Sequence, residues 1–226
     1  MPPPYLQVIT MKAAIFDMDG TLLDSMGMWH NVLVDYLKSM GREVDEALAE
    51  KLVMITFAEA SRLIANDYCP EKTAEEVYAE IEKFILEQYR STIELKPFVR
   101  EYLEQLKNGG IRMCVATLTD RYMVETVLKR LDIAEYFDFI LTVAEVGATK
   151  AEPKIYFDAV AQFGLPQDEC MVFEDSYYAL KTAVDAGFHC VCIDDQWQDM
   201  PEGFVEQYCD RFVTDYRDLL TSASSR

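Results

Sequence analysis

The chain reads as an α/β protein: an open sheet of parallel strands with helices on both faces, plus an all-helical segment inserted near its start. Three observations predict this. Short apolar runs alternate with helical stripes along most of the 226 residues, the pattern of right-handed strand–helix–strand crossovers. One of the intervals between runs is far longer than a crossover needs. And polar, chemically capable residues gather just after the runs, at the sheet edge where open parallel sheets bind ligands.

Five runs are expected as buried strands: Lys12 to Phe16, Ile111 to Ala116, Phe139 to Val143, Cys170 to Phe173 and His189 to Ile193. Helical stripes separate the later ones. Pro97 opens a segment carrying Val99, Tyr102, Leu103 and Leu106 on one face, and Asn108-Gly109-Gly110 closes it. Met123, Val124, Val127, Leu128 and Leu131 form the next stripe. Tyr156, Phe157, Val160 and Phe163 follow Pro153 and stop at Gly164, and Ala179, Leu180, Ala183 and Val184 stop at Gly187.

Between the first and second runs lie roughly ninety residues, where a dozen or more suffice to join parallel neighbours. The excess is itself helical. Trp29, Val32, Leu33, Tyr36, Leu37 and Met40 recur at helical spacing up to Gly41. Thr73-Ala74-Glu75-Glu76 forms a capping box ahead of Val77, Ile81, Phe84, Ile85 and Tyr89. The expected division is a Rossmann-like core of residues 11–24 and 95–226, with residues 25–94 as an inserted helical cap. The polar tail Thr221 to Arg226 is the one low-complexity stretch.

Composition narrows the function classes. Half the residues are apolar, and no run approaches the length of a membrane span. The start, Met1-Pro2-Pro3-Pro4, lacks the basic and apolar regions of a secretory signal, and Met11 is a second candidate start because the strand pattern begins right after it. A formal charge of −19 disfavours nucleic acid and anionic membranes as partners. An anionic substrate then requires positive charge concentrated at the site. The six cysteines show no Cys-x-x-Cys pair and mostly fall in apolar runs, which fits a reducing cytoplasm. The two histidines, His30 and His189, lie far apart, so a histidine-based triad is not expected.

The most informative stretch is Phe16-Asp17-Met18-Asp19-Gly20-Thr21. It places two carboxylates at the end of a buried strand, where they are costly unless a cation neutralises them. The second run leads into Thr117-Leu118-Thr119-Asp120, the third towards Gly147-Ala148-Thr149-Lys150, and the fourth into Glu174-Asp175-Ser176. Acids, a hydroxyl and a lysine from four strands thus meet at one edge. Each type suits phosphoryl transfer. A carboxylate can attack phosphorus, and magnesium can bridge the two anions. Lysine and hydroxyl donors can hold the phosphoryl oxygens, while a second carboxyl group moves the proton.

From Lys12 to about Leu219, these motifs resemble the haloacid dehalogenase superfamily, in the branch with a helical cap after the first motif. The resemblance implies Asp17 as nucleophile and Asp19 as general acid and base. It implies phosphate binding by Thr117 and the Leu118 amide, and Lys150 as the third-motif lysine. It also implies magnesium held by the Asp17 carboxylate, the Asp19 carbonyl and the Glu174-Asp175 pair, Asp175 foremost. The third motif departs from the usual Lys-Pro-x-Pro, reading Lys150-Ala151-Glu152-Pro153, which leaves Lys154 as a competitor for Lys150.

The aspartate at position 19 favours phosphate monoester hydrolysis or phosphosugar mutation over dehalogenation. Mutases of the β-phosphoglucomutase type carry a cap histidine about twelve residues past the nucleophile. Here that position is Trp29, with His30 one step later. The expected activity is therefore a magnesium-dependent phosphatase acting on a small phosphorylated metabolite, with a phosphosugar mutase as the alternative. A phospho-acceptor signalling domain and an inactive binding protein are the readings from other classes. The insertion argues against the first, and the full set of reactive groups against the second. The cap is expected to close over the site. Lys38, Arg42, Lys51, Arg62, Lys83 and Arg121 are the cations that could meet an anionic substrate.

Overall fold

A computed structural model of the chain describes residues 11–220. The readings of Met1-Pro2-Pro3-Pro4 and of the tail from Thr221 lie outside them. The chain divides into two compact units, one made of the segments up to Asp24 and from Glu94 onward, the other Ser25–Ile93.

The first unit holds one six-stranded sheet. In chain order its strands are β1 (Ala13–Phe16), β2 (Arg112–Thr117), β3 (Phe139–Thr142), β4 (Cys170–Glu174), β5 (His189–Ile193) and β6 (Arg211–Val213). They lie in the order β3-β2-β1-β4-β5-β6, and every pairing is parallel. This is the doubly wound, Rossmann-like arrangement. Chain direction across the sheet reverses between β1 and β4, so the loops leaving those two strands part and open a crevice at their carboxyl ends. The acidic motifs sit on those two loops.

Both sheet faces are covered, which is why the strands read as unbroken apolar runs. With a side-chain period of two, Ala13, Ile15, Cys114, Ala116, Cys170, Val172, Cys190 and Cys192 face one layer. There, past α6 (Arg121–Arg130) and α7 (Val143–Val146) in the chain, they pack with Ile155, Tyr156, Ala159 and Phe163 of α8 (Lys154–Phe163) and with Leu180 and Ala183 of α9 (Tyr177–Asp185). Phe16 and Phe173 point the other way and stack at 4.4 Å between ring centroids. Tyr102 of α5 (Val99–Asn108) lies on Phe173 at 5.9 Å. All four apolar residues expected on α5 are buried. On α8 the expected Tyr156 and Phe163 are buried and Val160 packs partly buried against them. Phe157 is 42% exposed, and Ile155 and Ala159 take the inward places.

The second unit contains α1 (Met26–Ser39), α2 (Glu46–Val53), α3 (Phe57–Asp67) and α4 (Ala74–Ser91). The Thr73–Glu76 capping box is present at the start of α4, and an equivalent Thr56–Glu59 box starts α3. Inside the unit, the Tyr36 hydroxyl donates to Glu80 at 2.7 Å, and Lys72 reaches the same carboxylate oxygen at 2.7 Å. The Trp29 indole donates to the Tyr89 hydroxyl at 3.1 Å. No helix among the described residues is long and apolar enough to cross a membrane.

Candidate active site

The site begins where β1 ends. Asp17 still donates its backbone N–H to the Phe173 carbonyl of β4, at 2.9 Å, so its side chain is fixed by the sheet itself. Two residues later the chain must turn. Gly20 has φ of 79°, a left-handed conformation that side chains disfavour, and its N–H closes the turn onto Leu23 at 3.0 Å. Residues 22 and 23 both donate to the Met18 carbonyl at 2.9 Å, which locks the loop carrying Asp17 and Asp19.

Lys150 lies at the centre of the charges. It is fully buried, and its Nζ bonds both Asp17 Oδ1 and Glu174 Oε1, the latter at 2.7 Å. The missing third-motif proline is replaced by hydrogen bonds: the Ala151 and Glu152 amides donate to the Thr149 side chain and carbonyl at 3.3 and 3.0 Å. Lys154 is no competitor, because it sits on α8 and pairs with Asp158 at 2.6 Å. Arg121 is also engaged elsewhere, bonding Glu145 and, at 2.8 Å, the Ile140 carbonyl.

Asp17, Glu174 and Asp175 each bring a carboxylate oxygen within 4.8 Å of the others, and all three are buried. Their roles differ. Glu174 has both oxygens engaged, Oε1 by Lys150 and Oε2 by the amides of Asp175 and Ser176 at 2.8 and 3.0 Å. It therefore orients the lysine and the loop before α9. Asp175 accepts from the Thr21 hydroxyl through Oδ1 at 3.0 Å, while its Oδ2 is buried with no hydrogen-bond partner. An orphaned buried carboxylate oxygen is costly, and a hard divalent cation is the partner its chemistry suits.

The electrostatics agree. Burial pushes the Asp17 carboxyl up to about 8, with Lys150 opposing and Glu174 adding to the rise. Burial, then Glu174 and Asp17, hold Asp175 well above the usual carboxylate range. Burial works against the Lys150 ammonium, but Asp17 and Glu174 outweigh it and raise it well above its ordinary value. Three acids around one lysine leave negative charge uncompensated, and a divalent cation would restore the balance.

The other expected residues stand at the same sheet edge. The Thr119 hydroxyl donates to Asp19 Oδ2 at 2.7 Å. Thr117 is buried at the end of β2, and its Oγ1 accepts the Thr119 amide at 3.1 Å, which leaves its O–H for another acceptor. Leu118, between them, is 52% exposed. Sequence reasoning assigned no role to Thr21 and Thr119, although both lie within or beside the quoted motifs. The cysteines stay outside this chemistry: all six are unpaired, and burial raises the thiols of Cys114, Cys170, Cys190, Cys192 and Cys209.

Known proteins resemble this chain in sequence and in fold. Hexitol phosphatase B of Escherichia coli K12 is 29% identical over 170 residues, covering 73% of this chain and 75% of that protein. A phosphorylated carbohydrates phosphatase of Thermotoga maritima is 27% identical over 177 residues, covering 78% and 82%. Among solved structures, a Thermotoga maritima protein provisionally assigned as a β-phosphoglucomutase superposes with a TM-score of 0.78 at 24% identity, covering 90% of this chain and 94% of that one. Residues 11–187 match the family model described as haloacid dehalogenase-like hydrolase. Since that match spans most of the chain, the chain belongs to the haloacid dehalogenase-like hydrolases.

Proposed function

We propose that this chain is a magnesium-dependent phosphatase of a small phosphorylated sugar or sugar alcohol, acting through phosphoryl transfer to Asp17. One observation carries the reading: in a buried acidic trio, Asp17 and Glu174 bond one buried lysine while Asp175 Oδ2 is left without a hydrogen-bond partner. The relatives named as phosphatases of hexitols and phosphorylated carbohydrates support the substrate class.

Lys150 holds Asp17 Oδ1, which orients the other oxygen for in-line attack on phosphorus. Asp19, steadied by Thr119, protonates the leaving oxygen and then takes a proton from the water that releases phosphate. The Thr117 hydroxyl, the Leu118 amide and Lys150 donate to the phosphoryl oxygens as their charge shifts. Asp17, the Asp19 carbonyl and Asp175 would hold magnesium, which when bound supplies charge neutralisation between carboxylate and phosphate.

The test is phosphate release from a panel of sugar and polyol phosphates, with magnesium and then with excess chelator, for the wild type and for Asp17→Asn. Magnesium-dependent release that is lost in the variant is the expected result. Isomerisation of a phosphosugar without net release would instead identify a mutase. Release by Asp17→Asn would overturn the covalent route.

A further inference from the structure

The last short helix of the described chain, Tyr216–Leu219, lies almost 200 residues from the first acidic motif, yet it touches the loop that carries it. Tyr216 is 2% exposed, and its hydroxyl donates to the Thr21 backbone carbonyl at 3.1 Å. Thr21 is itself fully buried and passes the constraint on, its Oγ1 donating to Asp175 Oδ1 at 3.0 Å. The opposite oxygen of that carboxylate is the orphan Oδ2.

We propose that Tyr216 is a positioning residue for the metal site: by fixing Thr21 it sets the rotation of the Asp175 carboxylate. This inference rests on the magnesium reading above. It concerns a residue beyond the segment 11–187 that matches the family model.

Tyr216 is built in firmly. Its ring packs on Tyr102 at 5.6 Å, and Tyr102 continues onto Phe173 of β4, the strand that carries Glu174 and Asp175. The helix is further tied by Gln105 Nε2, which donates to the Leu219 carbonyl at 3.1 Å. A rigid ring whose single polar atom reaches the backbone beside a metal ligand is suited to hold a geometry. Without the hydroxyl, the buried Thr21 carbonyl loses an acceptor bond and the Thr21 side chain gains freedom. Asp175 then spends less time aimed at the cation.

The experiment is calorimetric titration of magnesium into the full chain, with thermal melting in chelator as a control. Tyr216→Phe keeps the ring packing and should weaken magnesium binding about three- to tenfold, the effect of one buried hydrogen bond. Thr21→Ser, which retains the hydroxyl, should bind nearly as the wild type does. Thr21→Val should bind at least as weakly as Tyr216→Phe. A Tyr216→Phe protein that melts lower in chelator but binds magnesium with unchanged affinity overturns the inference and leaves Tyr216 a packing residue. Wild-type protein that takes up no magnesium overturns the metal reading and the inference with it.

Discussion

Replacing Lys150 by methionine probes how this site is held together. The substitution keeps the length of the side chain and removes its charge. Lys150 is fully buried and bonded to Asp17 and to Glu174, the latter at 2.7 Å. At that separation a single ion pair is worth about 6 kcal/mol with an effective dielectric constant of about 20. The desolvation of the ammonium offsets much of this. The net loss when one partner of a buried pair is removed is about 3–5 kcal/mol, because the remaining charges stay buried and unpaired. For a chain of this size each kcal/mol lowers Tm by about 2–4 °C, so metal-free Lys150→Met should melt roughly 6–20 °C below the wild type. Differential scanning calorimetry in excess chelator is the assay. Magnesium should raise the variant's Tm by more than it raises the wild type's, since the cation then meets a larger uncompensated charge. A variant melting within about 2 °C of the wild type in chelator would refute the claim that Lys150 neutralises the trio.

Other perturbations separate chemistry from scaffold. Asp17→Asn should abolish phosphate release, and its melting temperature in chelator should be unchanged or higher, because it relieves a cluster already short of positive charge. Removing the cap of α4 with Thr73→Ala should cost about 1 kcal/mol and leave turnover intact, as read by melting and by phosphate release. In the helical unit, Glu80 is held below its usual range by hydrogen bonds from Lys72 and Tyr36. Its contribution is therefore present above the ordinary glutamate pKa and lost as pH falls through the lower folded value. The Tm gap between wild type and Glu80→Gln should accordingly be largest near neutrality and close as pH falls below the ordinary glutamate range. It should stay within about 1 kcal/mol, because the Glu80 side chain is 38% exposed.

The parts of this molecule that were legible in the sequence are those repeated by physical necessity. Buried parallel strands must be apolar on both faces, so all five runs were visible, and His189–Ile193 was placed to the residue. Thr73 and Glu76 announced α4 because a capping box leaves a four-residue signature. The third strand pair of the β4 side was not visible. Strand β6 has three residues, two of them exposed at the sheet edge, which is too short to show a period. The exposed Phe157 shows the limit of reading a helix face from hydrophobicity alone, since Ile155 and Ala159 occupy the inward stripe. In the site, the residues that could react stood out as acids and a lysine after apolar runs. The residues that aim them did not. Tyr216 reaches Thr21 across 195 positions of sequence, and an isolated tyrosine in a terminal segment carries no signal of that contact. Glu174 stood out as an acid after an apolar run, and in the folded chain it lies with Asp17 and Asp175 while its oxygens also bond Lys150 and the backbone amides ahead of α9.

If Asp17 attacks phosphorus, it must itself carry the phosphoryl group during turnover. Mixing the protein with magnesium and a good sugar phosphate, quenching within one turnover in acid and mapping the peptides by mass spectrometry tests it directly. A phosphoryl group on the peptide containing Asp17, forming and decaying at the rate of phosphate release, is the predicted result. Steady phosphate release with Asp17 never modified, or with the label on another residue, would contradict it.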